Sequence, residues 1–490
     1  MYKLFHWLPL VLCVQATLFV HASALQGQDP RPNVLLIAVD DLNDWIGCLQ
    51  GHPQAITPNL DRLAKRGVLF RNAHCQGPIC GPSRCSLLSG KYPHSTGVYQ
   101  QPSSSKIEKD KEFFRGHLLP EYFSHHGYKT LASGKITHGY AGKIAFQEYA
   151  GKQGGFGPKP EERFQYFLPD VPYTGTQTDW GRFPEDDADM PDFKTASWCI
   201  SQLEEKHDSP FFLAAGFYRP HVPFYVPAKW FSDFPLDQTK LPRFQLNDLD
   251  DVPEIARQIH EMPKYPKLPF LGQKDNEQFR RCTQAYLACV RFVDHQIGTL
   301  LDALDKSPYQ DNTIILLFSD HGYHLGEKNR VSKHSLWEEA TRVPLIVVDG
   351  TNRAKVCDSP VGLIDIYPTL LELCGLPTRE QNEGFSLVPL LDSPEGNLRK
   401  AILTTYARGN HALRGKQYRY IRYENGAEEL YDHATDPQEW NNVASETQYA
   451  ARIADFRKQL PRMEAKYHPA TTPGPVNAWF QKHLAENGIE

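Results

Sequence analysis

Five short runs of almost unbroken apolar residues set the frame of this chain: Val34 to Val39, Tyr128 to Ala132, Phe211 to Phe217, Thr313 to Phe318 and Val343 to Val348. A strand with one wet face alternates apolar and polar residues, so runs without alternation suit strands covered on both faces, as in parallel sheets. Between them, in Pro58 to Arg66 and in the long stretch Glu277 to Leu304, apolar residues recur every three or four positions, the period of a helix face. The two patterns predict an α/β fold with a large, mostly parallel sheet sandwiched by helices. After about Leu391 the pattern changes to short alternating strands, Tyr418 to Tyr423 and Glu429 to Tyr431, then a helix near Gln448 to Tyr467. This predicts a smaller C-terminal α+β domain built on an antiparallel sheet, with the main domain over residues 25–395 and the small one over 396–490. Residues 140–195 are rich in Gly, Pro and aromatics and carry the acidic cluster Glu185-Asp186-Asp187. They read as a long insertion over the site, and equally as a plain surface loop. The chain has no internal repeat.

In open α/β sheets ligands bind beyond the carboxyl ends of the strands, so the residues after each apolar run are the ones to inspect. Val39 is followed by Asp40-Asp41, Phe318 by Ser319-Asp320-His321-Gly322, Ala132 by Gly134-Lys135 and His138, and Phe217 by Arg219-Pro220-His221. These carboxylates, cations and imidazoles would converge on one rim. Adjacent carboxylates repel, so Asp40 and Asp41 are poor neighbours unless a cation sits between them. Taken alone, such a pair is most often a solvated turn or a helix cap. With Asp320 added, the oxygens suit Ca²⁺ or Mg²⁺ better than zinc. Lys135 and His138 are three apart, so one turn would point both the same way. His221 lies between Pro220 and Pro223 and is held more firmly than an ordinary loop histidine.

The stretch Cys80-Gly81-Pro82-Ser83-Arg84-Cys85-Ser86-Leu87-Leu88-Ser89-Gly90 reads as a thiol at a helix start. Pro82 has φ preset and no amide hydrogen, which fits a first turn, and Gly90 fits the end. Free amides at that start favour an anion, and Arg84 can project over the same face. The bland alternative is a buried or disulfide-bonded cysteine, with Cys75 and Cys85 close by in sequence. A zinc site fits poorly, because the spacing lacks the paired loops of structural zinc sites.

This stretch resembles the Cys-x-Pro-Ser-Arg signature of the type I sulfatases, in the alkaline-phosphatase-like superfamily. Thr57-Pro58-Asn59-Leu60-Asp61-Arg62-Leu63-Ala64, Ser319-Asp320-His321-Gly322, Asp365-Ile366-Tyr367-Pro368-Thr369-Leu370, and Glu429-Leu430-Tyr431-Asp432 followed by Asp436-Pro437 are similar to motifs of that family in the same order. The resemblance implies that Cys80 is converted to formylglycine by a formylglycine-generating or other maturation enzyme. It further implies Ca²⁺ held by Asp40, Asp41, Asp320, His321 and the modified Cys80. Many sulfatases have asparagine where His321 stands, and the Asp-His pair resembles the iduronate-2-sulfatase branch, which also has a lysine at the place of Lys333. Whether His321 binds metal or a sulfate oxygen is left open by the sequence. By the same resemblance Arg84, Lys135 and the metal stabilise the sulfuryl oxygens, Asp320 and His138 act as bases, and His221 protonates the leaving alkoxide with help from Lys333. The implied substrate is a sulfated carbohydrate, with an algal polysaccharide, choline sulfate, an aryl sulfate or a phosphonate ester as alternatives, and a non-catalytic glycan-binding protein as the reading from another class. His324, Arg330 and Arg115 are candidates for contacting a substrate carboxylate.

Composition narrows the setting. The 490 residues are 40% hydrophobic and 23% charged, with a net charge of −5. Nothing here suits wrapping a polyanion, so nucleic acid is not an expected partner and an anionic substrate must be held by local cations. Lys3, the apolar run Trp7 to Val20 and Ala22-Ser23-Ala24 read as a secretory leader over residues 1–24. That run is short for a membrane span, so no stable membrane anchor is expected. The ten cysteines include Cys13 in the leader and Cys80, and no pairing is assigned to the other eight. Absence of any Asn-x-Ser/Thr sequon favours export to a bacterial periplasm or to the extracellular space.

Overall fold

The computed structural model describes Met1 and residues 31–110, 117–138, 142–164, 178–261, 277–351 and 353–471. The expected leader and Arg115 lie outside the described residues. None of the described helices is long and apolar enough to cross a membrane.

The apolar runs form one eight-stranded sheet in the spatial order Lys355–Cys357, Val68–Phe70, Leu345–Val348, Thr313–Ser319, Asn33–Asp40, Phe211–Pro220, Lys129–Gly134 and Glu148–Tyr149. Five of the strands are the apolar runs, and Val68–Phe70, Glu148–Tyr149 and Lys355–Cys357 are additions to them; the pairing is parallel except around Leu345–Val348, which runs antiparallel to both strands beside it. Asn33–Asp40 lies at the centre, paired with Thr313–Ser319 on one side and Phe211–Pro220 on the other. Its unbroken apolar sequence is explained by two cores. Leu35, Ile37 and Val39 face one, with the long helix Glu277–Lys306 and the helix Pro191–Glu204. Val34, Leu36 and Ala38 face the other, with Cys80–Ser89, Leu119–His125 and Ile366–Leu373. Every one of these strand residues is buried, so Ile37→Ala leaves a cavity that neither layer can fill. A loss of about 3 kcal/mol is expected, read as a lower urea midpoint; an unchanged midpoint would show that the layer collapses around the gap.

The C-terminal segment forms a separate antiparallel sheet, Ala401–Thr405, His411–Gly415, Tyr418–Arg422 and Glu428–Asp432 in sequential order. One face packs on Ile453 and Phe456, the other on Ile79, Leu336 and Trp337. The helix expected near Gln448 to Tyr467 is shorter, Ala450–Arg457 preceded by a 3-10 turn Thr447–Tyr449. Pro461 accounts for this, since it disfavours helical conformation at Leu460 and cannot donate its own amide. Buried Arg419 donates to the Leu336 carbonyl at 2.9 Å and pairs with Glu338 and Glu439. The small sheet thereby braces the segment that carries Lys333.

None of the nine described cysteines is paired in a disulfide. Of the insertion over 140–195, Glu148–Tyr149 extends the sheet edge and Pro191–Glu204 covers it. Asp187 of its acidic cluster is engaged with Lys229 and the Trp230 indole, a structural use.

Candidate active site

Asp40 ends the central strand and Asp41 follows it. In a regular strand neighbouring side chains point to opposite faces, which would send the two carboxylates apart. Pairing with Phe211–Pro220 shifts between Val39 and Asp40, and Asp41 takes φ 63°, a left-handed conformation that aspartate adopts more readily than most residues. Both carboxylates thereby reach one centre, where ligand atoms of Asp40, Asp41, Cys80 and His221 lie within 4.8 Å of one another. Asp320 and His321 arrive from the adjacent strand end, and Asp40, Cys80, Asp320 and His321 form a second group of the same size.

Cys80 opens its helix after an extended Ile79, and Gly90 closes it at φ 71°. The Cys80 Sγ stands 3.2 Å from His321 Nε2 and 3.7 Å from Lys333 Nζ. Lys333 also donates to both Asp41 oxygens, at 2.7 and 2.9 Å. Lys135 Nζ bonds Asp40, and its backbone leaves the adjacent strand over Gly216, where an added Cβ would come within 2.3 Å of the Lys135 carbonyl. Only glycine allows that approach.

Arg84 turns inward rather than walling an open cradle. Its Nε donates to Asp320 Oδ2 at 2.7 Å, and its Nη1 donates to the carbonyls of Lys135 and Ile136. It therefore ties Asp320 to the lysine loop. Its Nη2 faces Asp40 Oδ1 at 3.7 Å, and both atoms are buried without a hydrogen-bond partner.

That orphaned carboxylate oxygen is one reason to regard the cluster as a cation site. A second is His321, whose Nδ1 lies 2.9 Å from the Gly322 carbonyl and so donates to it, which aims Nε2 at Cys80 and the carboxylates as a position where either a proton or a cation would sit. Burial opposes charge on this ring, but Asp320, Cys80 and Asp41 outweigh it and push its pKa up to about 9. The same field favours a cation among these ligands. Burial raises Asp41, and Lys333 and His321 only partly offset it. Asp40 is held well below the usual carboxylate range, because Lys135, His221 and Arg84 overcome its burial. Three carboxylate residues and one imidazole nitrogen fit a hard divalent ion.

The two remaining histidines carry depressed pKa values. Burial, then Lys333, lowers His221 well below its ordinary value, and its Nδ1 hydrogen goes to the Val222 carbonyl at 2.7 Å, leaving Nε2 3.9 Å from Asp41. Burial, then Lys135, pushes His138 down to about 3. His138 and Lys135 line one cavity of about 590 Å³ with Phe156, Tyr218, Lys152 and Lys159.

The structure thus brings Asp40, Asp41, Cys80, Arg84, Lys135, His221, Asp320, His321 and Lys333 together, with His138 on the adjoining cavity. It does not place His324 and Arg330 as exposed contacts. The segment folds back as the hairpin His324–Leu325 with Val331–Ser332, which buries both; His324 Nε2 meets Ser335 Oγ at 2.7 Å and Arg330 donates to the His334 carbonyl. Arg219, read from the sequence as one of the rim cations, is turned away from the carboxylates. Phe156 was not singled out at all, because a phenylalanine in a glycine-rich loop carries no chemical signature. Ser83 and Ser319 are further additions. Ser83 donates to the Asp320 carbonyl, and Ser319 Oγ accepts the Leu42 amide and donates to the His321 carbonyl.

Comparisons with known proteins agree with this geometry. Residues 32–376 match the family model described as Sulfatase, and residues 326–466 match that of the N-sulphoglucosamine sulphohydrolase C-terminal region. A protein of Formosa agariphila named Sulfatase is 42% identical, covering 98% of this chain and 95% of its own. The iduronate 2-sulfatase of Mus musculus is 29% identical over 89% of this chain and 86% of its own. A solved structure described as a 2-O GAG sulfatase superposes with a TM-score of 0.66 at 24% identity, covering 94% of this chain and 93% of the other, and shares the fold.

Proposed function

Because this chain belongs to the sulfatase family, we propose that it removes sulfate from a sulfated glycan, most specifically a 2-sulfated uronate of the kind an iduronate-2-sulfatase handles. The observation that carries the reading is the seat of Cys80, at a helix start with His321 and Lys333 against its sulfur and three aspartates around them. The Asp320-His321 pair and the named relatives support the uronate form of it.

Formylglycine at position 80, made from the cysteine by a maturation enzyme, supplies a hydrated aldehyde oxygen as nucleophile and a way to shed sulfate while restoring the carbonyl. Ca²⁺ held by Asp40, Asp41, Asp320, His321 and residue 80 would supply charge for the sulfuryl oxygens and acidify that oxygen. The chain's own groups do the rest. Lys333 and Lys135, each reaching from a carboxylate toward residue 80, bind the sulfuryl oxygens, and Arg84 keeps Asp320 and the lysine loop in register. His221 gives a proton to the departing alkoxide. An anionic ester arriving beside it adds the negative charge that favours its protonated form. His138, kept neutral, is suited to take a proton from the second hydroxyl when sulfate leaves. The leader residues support export to a periplasm or the extracellular space.

The deciding experiment is sulfate release from a panel holding 2-sulfated uronate disaccharides, other sulfated glycans, choline sulfate, an aryl sulfate and a phosphonate ester. The uronate disaccharide is expected to have the highest kcat/KM. A preference for choline sulfate or the phosphonate ester would overturn the glycan reading.

A further inference from the structure

Arg219 stands two residues before His221 and is 1% exposed, and its guanidinium hydrogen-bonds backbone carbonyls while its charge also favours the buried Asp192 carboxylate. Nε donates to the Tyr225 carbonyl at 2.8 Å, Nη1 to the His221 carbonyl at 3.1 Å and Nη2 to the Phe156 carbonyl at 2.9 Å. The two residues held by the Nη atoms are themselves in contact, since the Phe156 and His221 rings lie 4.6 Å apart at 41°. The other side of this unit is fixed as well. Asp192, at the start of its helix, accepts the amides of Tyr218 at 2.6 Å and Arg219 at 2.9 Å. Phe156 also lies under Lys135 Nζ at 5.1 Å, so the same ring spans the acid and a sulfate-side cation.

One guanidinium therefore grips both members of a ring pair by their backbones, although the two come from loops 65 positions apart in sequence (221 − 156). A buried cation spent on three carbonyls is a demanding arrangement, and only the planar fork of arginine can make it. We propose that Arg219 and Phe156 are positioning residues that hold the His221 ring with Nε2 aimed at the leaving oxygen. The inference rests on the role given to His221 above. In that step the nucleophile forms a bond to sulfur, the bond from sulfur to the sugar oxygen breaks, and the proton on Nε2 passes to that oxygen. Proton delivery tolerates little misplacement, because donor and acceptor must meet at hydrogen-bond distance.

A purely structural role and a positioning role differ in how the damage depends on the leaving group. A good leaving group departs without much help from an acid, whereas a poor one needs its proton. The test is kcat/KM for a series of aryl sulfates of rising phenol pKa, from 4-nitrophenyl to phenyl sulfate, with the parent enzyme, Arg219→Lys, Phe156→Leu and His221→Ala. In Arg219→Lys and Phe156→Leu the loss on phenyl sulfate is expected to exceed that on 4-nitrophenyl sulfate by about tenfold, within the range an acid contributes. An equal loss on both, or none, overturns the proposal. Should Arg219→Lys fail to fold, Phe156→Leu, on a half-buried loop residue, decides alone. His221→Ala separates the two levels. A steepened slope there with flat slopes in the other variants rejects only the positioning role, and a flat slope in His221→Ala rejects the acid itself and the proposal with it.

Discussion

Cys80→Ala is expected to lower sulfate release by about 10³-fold or more, since it removes the atom on which the nucleophile is built. The side chain is 1% exposed and small, so its loss leaves little empty volume, and unfolding should shift far less than activity. Cys80→Ser is the sharper variant. A serine oxygen at the same seat can attack sulfur but has no second hydroxyl with which to expel the sulfate, so a burst of product near one equivalent followed by arrest is expected. Mass spectrometry of the tryptic peptide Asn72 to Arg84 checks the premise, because formylglycine is lighter than cysteine by the difference between a CH₂SH and a CHO group. Full activity in the alanine variant, or a catalytically competent protein with only thiol at position 80, would refute the mechanism. A peptide that stays entirely thiol in a protein that binds sulfated glycans without cleaving them would favour a binding protein.

Removal of divalent cations is expected to lower activity by about 100-fold or more, with recovery on adding Ca²⁺. The reason is on the carboxylate side of the site. Asp40, Asp41 and Asp320 are all 0% exposed, and Asp40 Oδ1 has no hydrogen-bond partner. The cations beside them leave Asp41 still raised by burial and Asp40 Oδ1 without a hydrogen bond, so a divalent ion that binds the folded state should also raise the melting temperature. Dialysis against a chelator, followed by readdition of Ca²⁺, Mg²⁺ or Mn²⁺, checks both effects and ranks the ions. Asp320→Asn should reproduce the loss and blunt the recovery, since it weakens a ligand and the Arg84 pairing together. A chelated protein with unchanged rate and melting temperature would remove the cation from this site.

Much of the site was legible because strand ends in a parallel sheet collect on one rim, and apolar runs mark those ends. Asp40, Asp320, Lys135 and His221 could each be found by walking off the end of a run. Lys333 was found by resemblance alone, since it lies thirteen positions beyond Asp320, on the far side of a short hairpin. Arg84 and Arg219 show where such reading stops. A cation beside a site can face the substrate or brace the scaffold, and the choice depends on which carbonyls and carboxylates the folded chain brings within reach. For Arg84 these are Asp320 and the lysine loop; for Arg219 they are the carbonyls of Tyr225, His221 and Phe156. The same limit applies to His324 and Arg330, whose burial in a hairpin no local pattern announces.

Local chemistry by itself determined the helix start at Cys80, the two-layered α/β core and the acidic character of the strand ends, because propensity, period and charge are properties of neighbouring residues. Tertiary structure alone decided that Asp40 and Asp41 share one centre, through a register shift and a left-handed Asp41, and that Phe156 shields His221 and Lys135. Those outcomes depend on contacts between segments far apart in the chain, whose energies enter only when the strands are in register and the loops are closed.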